Sequence, residues 1–155
     1  MTSLAPLTAD DRDDWLTLWR GYLQFYEEDL AQTQTELTFV RLTDSTYPIH
    51  GALARDDSGA AVGLVHWLTH PATWSEGPYC YMEDLFVSPD VRGSGIGAAL
   101  VEHVRAWAQR AGCSKVYWLT QRDNDTARRL YDRVARHSGF VQYEIDLSGS
   151  GAGAS

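Results

Sequence analysis

Aromatic and aliphatic residues near the start of the chain recur at intervals of three or four, which is the spacing of one face of a helix. These residues are Trp15, Leu18, Trp19, Tyr22 and Tyr26. Thr8 is a suitable N-cap because Asp11 follows three residues later, so the pattern predicts a helix that begins after Thr8. A less regular helical pattern covers 32–42.

From His50 onward the hydrophobic period shortens and predicts strands. Two strands are expected over 50–55 and 60–68, and the polar residues 56–59 between them are typical of a hairpin loop. A third strand is expected over 79–87, after a polar loop that contains proline. These three strands predict an antiparallel arrangement in the first half of a sheet.

The second half of the chain alternates helical and strand patterns. The pattern predicts helices over 95–111 and 124–136, and strands over 115–120 and 140–146. Alternation of this kind indicates crossover connections, so the fold class is a single α/β domain with a mixed, mostly antiparallel sheet flanked by helices. We assign the domain to residues 1–147 and a flexible Ser/Gly/Ala tail to 148–155.

The net charge of the chain limits which partners and substrates we expect it to bind. The 21 acidic and 13 basic residues give a net charge of −8, which argues against a nucleic-acid partner and permits a cationic substrate. No apolar run has the length of a membrane span, and the acidic N-terminus lacks the features of a signal peptide. We therefore expect a cytoplasmic protein that does not bind membranes.

The cysteines and histidines do not predict a metal site. Cys80 and Cys113 lack neighbouring His or Cys, so both are expected in the core. His66 and His70 would lie about 13 Å apart on an extended strand, too far to share one ion. We expect no metal.

The glycine-rich segment between the strand at 79–87 and the next helix carries the main chemical signal. Its sequence over 92–98 is Arg-Gly-Ser-Gly-Ile-Gly-Ala. Glycines let the backbone approach a ligand closely, and the unpaired N–H groups at a helix start favour an anion. Arg92 adds a positive charge, so a diphosphate is the expected occupant.

Two familiar phosphate-binding motifs do not fit this segment. A P-loop needs a Lys after the glycines, and none is present. Gly93, Gly95 and Ala98 satisfy G-x-G-x-x-A formally, as in dinucleotide-binding folds. However, five residues separate the strand from the first glycine, and Trp118 replaces the acid expected about 20 residues later.

The segment resembles the signature of the GCN5-related N-acetyltransferase (GNAT) family, Arg/Gln-x-x-Gly-x-Gly/Ala. Arg92, Gly95 and Gly97 match it after the strand ending Leu85-Phe86-Val87, and the resemblance spans about 4–147. The segment 81–87 is similar to the corresponding segment of polyamine acetyltransferases. The segments 117–120 and 130–135 are similar to those of the fungal histone and D-amino-acid acetyltransferases.

The resemblance implies an acetyl-CoA-dependent N-acetyltransferase that acts on primary amines, and a homodimer. By position it implies that the strand binds the pantetheine arm and that the glycine loop binds the pyrophosphate. The implied cofactor-binding residues are Leu85, Phe86, Val87, Arg92, Gly93, Ser94, Gly95, Ile96, Gly97, Ala98, Asn124 and Tyr131. For Asn124, N-capping of the following helix explains the residue nearly as well.

Amine acetylation needs a base for the ammonium proton and benefits from a donor for the departing thiolate. On a regular strand Tyr81, Glu83 and Leu85 would share one face, while Met82, Asp84 and Phe86 would share the other. Only one acid of the Glu83-Asp84 pair can then face the cleft, and we choose Glu83 as the base, with Asp84 as the alternative. Tyr131 is the candidate acid, since a phenol has a pKa slightly above that of a thiol.

The acceptor is the least determined part of the prediction. Aromatic and acidic residues in the variable regions indicate a cation with an apolar portion. The candidate acceptor-binding residues are Tyr26, Glu27, Glu28, Trp74 and Glu83. A small primary amine such as a polyamine or amino acid is the leading hypothesis, and the alternatives are a protein amine or a non-catalytic acyl-CoA-binding domain.

Overall fold

A computed structural model describes residues 2–148, which contain five strands and four α-helices. The elements in chain order are β1 (Ser3–Pro6), α1 (Arg12–Phe25), α2 (Gln32–Thr43), β2 (His50–Arg55), β3 (Ala61–His70), β4 (Tyr79–Val87), α3 (Ile96–Arg110), β5 (Lys115–Tyr117) and α4 (Asp125–Val134). Short 3₁₀ turns at Ala9–Asp11 and Pro89–Val91 precede α1 and α3. No helix within residues 2–148 is both long and apolar enough to cross a bilayer.

The strands form one sheet in the order β1-β2-β3-β4-β5. The first four strands pair antiparallel, whereas β5 pairs parallel with β4 after the crossover through α3. This mixed sheet flanked by helices confirms the predicted fold class, and β2 and β4 have the predicted bounds.

The two faces of the sheet bury separate clusters of side chains. The face toward α3 buries residues such as Val65, Trp67 and Leu100. The face toward α1 and α2 buries Trp15, Phe39 and Phe86 among others. The stripe predicted from the sequence thus lies on a helix, and its residues Trp15, Leu18 and Trp19 are buried in the core.

The prediction and the structure differ most at the two edges of the sheet. β1 was not predicted, because its four residues contain a proline and are mostly exposed, so they carry no strand pattern. β5 ends at Tyr117 rather than at residue 120, since its pairing with β4 ends there. The strand predicted over 140–146 is wrong for the described chain: no strand is assigned there, because no neighbouring strand pairs with it. Of the predicted tail, 149–155 lie outside the described residues.

A β-bulge in β4 overturns the predicted division of its side chains between two faces. His66 pairs with Asp84 and the adjacent Trp67 pairs with Met82, so Glu83 is an extra residue without a partner. Met82 accordingly packs in the cluster beside α3, whereas Phe86 packs in the cluster beside α1. The expectation that these two residues share a face is wrong, because one inserted residue inverts the alternation.

Candidate active site

The glycine loop joins β4 to α3 through two left-handed residues. Gly93 has φ +87° and Gly95, the residue that precedes α3, has φ +86°. An added Cβ at either position would contact nothing within 4 Å, so the backbone conformation rather than crowding requires these glycines. Gly97 differs, because its Cβ would lie 2.8 Å from Leu130 Cδ2. It therefore allows α4 to approach the start of α3.

Arg92 is held at the end of β4. Its Nε donates to the Val87 carbonyl oxygen at 3.2 Å, and its guanidinium lies 5.4 Å from the ring centroid of Phe25 and 5.8 Å from that of Phe86. These contacts leave a delocalised cation beside the glycine loop.

A cavity of about 450 Å³ lies between the end of β4, the glycine loop and α4. Its walls include all the predicted cofactor-binding residues except Ser94. The Ser94 hydroxyl instead donates to the Val91 carbonyl within the turn. Asn124 lines the cavity and also caps α4, since its Oδ1 accepts from the Ala127 N–H at 3.3 Å.

Two further arginines line this cavity and were missed by sequence reasoning. Arg129 and Arg133 project from α4, so with Arg92 the cavity walls carry three guanidinium groups. Their spacing of four residues, on a helix that Asn124 caps and that contains Tyr131, was an available signal. Glycine N–H groups, a helix start and three arginines together form a site for a polyanion such as the CoA phosphates.

One edge of β4 is open beside this cavity. β4 and β5 pair only from Tyr79 to Tyr81, so within the described residues the later part of β4 has no strand partner on that side. Leu85, Phe86 and Val87 line the cavity there. An extended ligand arm with amide groups, such as pantetheine, can pair with a free strand edge of this kind.

A second cavity, of about 410 Å³, lies where β4 and β5 separate, and we call it the acceptor cavity. Its lining includes five aromatic residues and one acidic residue, and contains no Lys or Arg. The full lining is Tyr22, Tyr26, Tyr81, Met82, Glu83, Leu85, Trp118, Leu119, Thr120, Gln121, Tyr131 and Gln142. Tyr26, Leu85 and Tyr131 also line the first cavity, beside the glycine loop, which we call the cofactor cavity. The two cavities therefore adjoin at these residues.

The bulge separates the roles of the two adjacent acids. Glu83 lines the acceptor cavity and is open to solvent through it. Loss of hydration between the cavity walls raises the pKa of Glu83, the negative charge of Asp84 raises it further, and His66 opposes this effect. Glu83 is thus the carboxylate that is exposed in this cavity.

Asp84 is engaged in a buried hydrogen-bond chain. Trp15 Nε1 donates to His66 Nε2 at 2.9 Å, and His66 Nδ1 lies 2.9 Å from Asp84 Oδ2. An indole N–H can only donate, so Nε2 is the accepting nitrogen and the ring proton sits on Nδ1, directed at the Asp84 carboxylate. This chain joins α1, β3 and β4 behind the bulge.

Tyr131 lies between the two cavities. Its ring packs edge-on against Trp118, with centroids 5.3 Å apart at 70°. Burial, with a smaller effect from Tyr26, raises the pKa of Tyr131 to about 12. Its phenol therefore remains protonated at neutral pH and can donate a hydrogen bond.

The predicted acceptor-binding residues are only partly brought together. Tyr26 and Glu83 line the acceptor cavity, whereas Glu27, Glu28 and Trp74 line neither cavity, and Trp74 is 85% exposed in its loop. Tyr81 and Trp118 were missed as wall residues. Tyr81 and Trp118 come together only because β4 and β5 separate, and no sequence pattern records that separation.

The histidines considered as metal ligands are engaged elsewhere. His66 accepts a hydrogen bond from Trp15, and His70 Nε2 lies 2.8 Å from the Tyr117 hydroxyl. Among residues 2–148 no group of three or more His, Cys, Asp or Glu side chains is placed to hold a metal ion.

A cationic glycine-loop cavity beside an open strand edge, next to an acidic aromatic cavity, defines an acyl-CoA-dependent amine acyltransferase. Comparison with known families agrees: residues 10–135 match the acetyltransferase (GNAT) family. The chain belongs to this family and is an acetyl-CoA-dependent N-acetyltransferase.

The individual relatives differ in the compounds for which they are named. D-amino-acid N-acetyltransferase HPA3 of Saccharomyces cerevisiae is 36% identical over 135 residues, which cover 86% of this chain and 84% of that protein. Mycothiol acetyltransferase of Pseudarthrobacter chlorophenolicus is 29% identical over 94% of this chain, but the match spans only 44% of that longer protein.

Solved structures show the same fold at lower sequence identity. The aminoglycoside acetyltransferase AAC(6')-Iy, in complex with a bisubstrate analogue, superposes with a TM-score of 0.81 at 15% identity over 94% of this chain and 98% of that one. A ribosomal-protein-alanine N-acetyltransferase from Brucella melitensis gives a TM-score of 0.76 at 22% identity, over 95% of this chain and all of that one.

Proposed function

We propose that this enzyme transfers the acetyl group of acetyl-CoA directly to the primary amine of a small molecule. The observation that carries the proposal is the pairing of two adjoining cavities with opposite charge. The cofactor cavity has three arginines, whereas the acceptor cavity has Glu83 and no basic residue. A polyanionic donor and a cationic acceptor thus have separate sites that meet at Tyr26, Leu85 and Tyr131.

The residues of the cofactor cavity fit acetyl-CoA. Arg92, Arg129 and Arg133, with the N–H groups around Gly93 and Gly95, match its phosphates in charge. The open edge of β4 at Leu85 and Val87 matches the amide groups of the pantetheine arm. Acetyl-CoA supplies a thioester carbon that a neutral amine can attack.

Glu83 acts as the general base in this proposal. An amine arrives mostly as its ammonium, and Glu83 accepts that proton, directly or through one water, so that nitrogen can form the new bond to carbon. The raised pKa of Glu83 makes it a better proton acceptor than an ordinary carboxylate, provided that the pH lies above that pKa.

Tyr131 acts as the general acid. The carbon–sulfur bond breaks as the amide forms, and the Tyr131 hydroxyl provides a proton for the departing sulfur. The nitrogen loses its second proton in the same step, and that proton returns Tyr131 to its hydroxyl form, directly or through water. Its raised pKa keeps this proton in place at neutral pH. Tyr131 lines both cavities, which is the position that this role requires.

The walls of the acceptor cavity favour particular amines. Five aromatic rings and one carboxylate attract an ammonium group and its alkyl chain. A free amino acid also carries a carboxylate, for which the cavity walls provide no cation. We therefore expect diamines and polyamines to be better acceptors than either D- or L-amino acids.

A panel of acceptors tests the proposal. Purified enzyme with acetyl-CoA would be given spermidine, putrescine, D- and L-amino acids, an aminoglycoside, and peptides with a free N-terminal alanine or lysines. CoA release and the mass of the product would be measured together. The expected result is the highest kcat/KM for an amine without a carboxylate.

Other outcomes separate the alternatives. A peptide with a higher kcat/KM than every small amine would replace the proposal with protein acetylation. Acetyl-CoA binding without CoA release across the panel would replace it with a binding domain. Retention of both Glu83 and Tyr131 at the cavity walls favours catalysis, since a binding domain needs neither group.

A further inference from the structure

A buried histidine and a buried carboxylate lie behind the acceptor cavity, and neither takes part in the proposed proton transfers. The side chains of His66 and Asp84 are 5% and 14% exposed. Asp84 follows Glu83 in β4, and the bulge gives the two carboxylates different surroundings: Glu83 lines the cavity, whereas Asp84 contacts His66. An ionised carboxylate is costly to bury, so its presence here points to a function.

The hydrogen bond from Trp15 determines where His66 carries its proton. An indole N–H can only donate, so His66 Nε2, at 2.9 Å from Trp15 Nε1, is an unprotonated nitrogen. The single ring proton is then on Nδ1, which lies 2.9 Å from Asp84 Oδ2. His66 is therefore neutral, and the His66–Asp84 pair has a net negative charge, whereas an imidazolium–carboxylate pair would have none.

From this geometry we propose that Trp15 and His66 are positioning residues for the acetyl transfer, because they keep the Asp84 carboxylate behind Glu83 as an uncompensated negative charge. This inference rests on the proposed role of Glu83 as the base. The charge of Asp84 raises the pKa of Glu83, after the larger effect of burial, and a charged His66 would lower it. Trp15 prevents a second proton on His66, so Glu83 remains the stronger base and the cavity attracts an ammonium group.

The other titratable groups of the acceptor cavity do not supply a competing charge near neutral pH. From α1, β4 and α4 these groups are Tyr22, Tyr26, Tyr81 and Tyr131. Burial raises the pKa of all four phenols, so they stay protonated and neutral. The lining contains no Lys or Arg. Among the described residues, the charge of the His66–Asp84 pair therefore sets the electrostatic environment of Glu83.

Trp19 provides a matched control for Trp15. The two indole rings stack with their centroids 5.6 Å apart, and the residues are 6% and 1% exposed. The Trp19 ring also lies close to His66, at 5.4 Å between centroids. Unlike Trp15 Nε1, however, Trp19 Nε1 has no hydrogen-bond partner within residues 2–148. Replacement by Phe removes the same atoms at both positions, but only Trp15→Phe removes a hydrogen bond to His66.

The test measures the pH dependence of kcat/KM for wild type, Trp15→Phe and Trp19→Phe with the best amine of the panel. NMR of the histidine ring nitrogens would identify which of them carry protons, and thermal unfolding would confirm folding. Trp15→Phe would also be combined with His66→Gln, because an amide can donate to Asp84 but does not become charged. Asp84→Asn removes the negative charge itself with little change of shape, so it tests the proposal even if Trp15→Phe does not fold.

We expect wild-type His66 to carry its proton on Nδ1 alone. In Trp15→Phe, Nε2 should take up a proton as the pH falls, so the acid limb of kcat/KM should move to lower pH. The KM for the amine should rise about three- to tenfold, while the KM for acetyl-CoA stays the same. Asp84→Asn should move the limb in the same direction. Trp19→Phe should keep the wild-type limb, with a KM for the amine within about twofold of wild type.

The proposal would be overturned by a proton on Nε2 of wild-type His66, by an unmoved acid limb in Asp84→Asn, or by equal changes in Trp15→Phe and Trp19→Phe, which would indicate lost packing. In the His66→Gln background, Trp15→Phe should no longer move the limb, and a persistent shift would also overturn the proposal.

Glu83→Gln in the same series separates this proposal from the assignment of the base. If the wild-type acid limb remains in Glu83→Gln, the base assignment is wrong and the positioning role is wrong with it. If Glu83→Gln loses the limb but Trp15→Phe and Asp84→Asn leave it in place, only the positioning role is wrong.

Discussion

Two helices form opposite walls of the cofactor cavity, and they are built very differently. α3 buries five residues in the core, whereas α4 buries none. The buried residues of α3 are Ile96, Leu100, Val101, Val104 and Ala108. α4 is instead partly covered on one side and carries arginines toward the cavity.

The difference shows that the part of the chain up to β5 and the part after it contribute differently to the protein. The strands and helices up to β5 enclose both hydrophobic clusters apart from Trp118, so they account for most of the folding free energy. α4 and the residues 140–147 that follow it add almost nothing to the core but supply Tyr131, Arg129, Arg133 and Gln142 to the cavities. A region of this kind serves binding and chemistry more than stability.

The largest effect that separates the two helices is expected from Tyr131→Phe. Loss of the hydroxyl should lower kcat about 100-fold, because the departing thiolate loses its proton donor. The midpoint of thermal unfolding should change little, since α4 is not part of the core. Steady-state kinetics and calorimetry on the same preparation would measure both quantities.

Tyr26→Phe is the matched control, because it removes a hydroxyl from another wall residue shared by both cavities. It should lower kcat less than tenfold. Equal losses in the two variants, or turnover by Tyr131→Phe at the wild-type rate, would remove Tyr131 from the mechanism.

A second comparison makes the same substitution in both helices. Val104 in α3 is fully buried, whereas Val134 in α4 is 43% exposed. Val104→Ala should reduce the free energy of unfolding by about 2 kcal/mol, because it leaves a cavity in the core. Val134→Ala should change it by about 0.5 kcal/mol or less. Urea titration would measure both values, and equal losses would contradict the division into a core helix and a site helix.

The smallest effect concerns the contact between the two helices. Gly97→Ala places a methyl group 2.8 Å from Leu130 Cδ2, so the flexible end of the Leu130 side chain must move. The KM for acetyl-CoA should rise about three- to tenfold, which corresponds to roughly 1 kcal/mol. Adding Leu130→Val should restore part of the affinity if this contact is the cause. A double variant with no recovery would show that the glycine serves another purpose.

The sequence predicted the fold best where one chain segment carries its own signal. The helical stripe of α1 and the bounds of β2 and β4 could be predicted from the sequence, because the change in hydrophobic period and the flanking loop residues mark these elements. The glycine loop could also be predicted from the sequence, since Gly93 and Gly95 adopt left-handed backbone conformations that favour glycine. The strand predicted over 140–146 failed because a strand also needs a neighbour to pair with, and the alternating pattern of one segment does not specify that neighbour.

The candidate site was predictable in its parts but not in its arrangement. Glu83 and Tyr131 are predicted from the sequence as base and acid, and both line the acceptor cavity. The unpaired position of Glu83 in the bulge, and the binding of Asp84 to His66, depend on pairing with β3. Such features arise from register between strands, so a single strand pattern does not contain them.

The most direct test of the account is the pH dependence of kcat/KM for wild type and Glu83→Gln with the best amine of the panel. Wild-type kcat/KM should fall as the pH drops through the raised pKa of Glu83, since a protonated carboxyl cannot accept a proton. Glu83→Gln should lose about 100- to 1,000-fold at pH 7, and less near pH 10, where much of the amine is already neutral. A Glu83→Gln enzyme within threefold of wild type at pH 7 would contradict the proposal that Glu83 is the base.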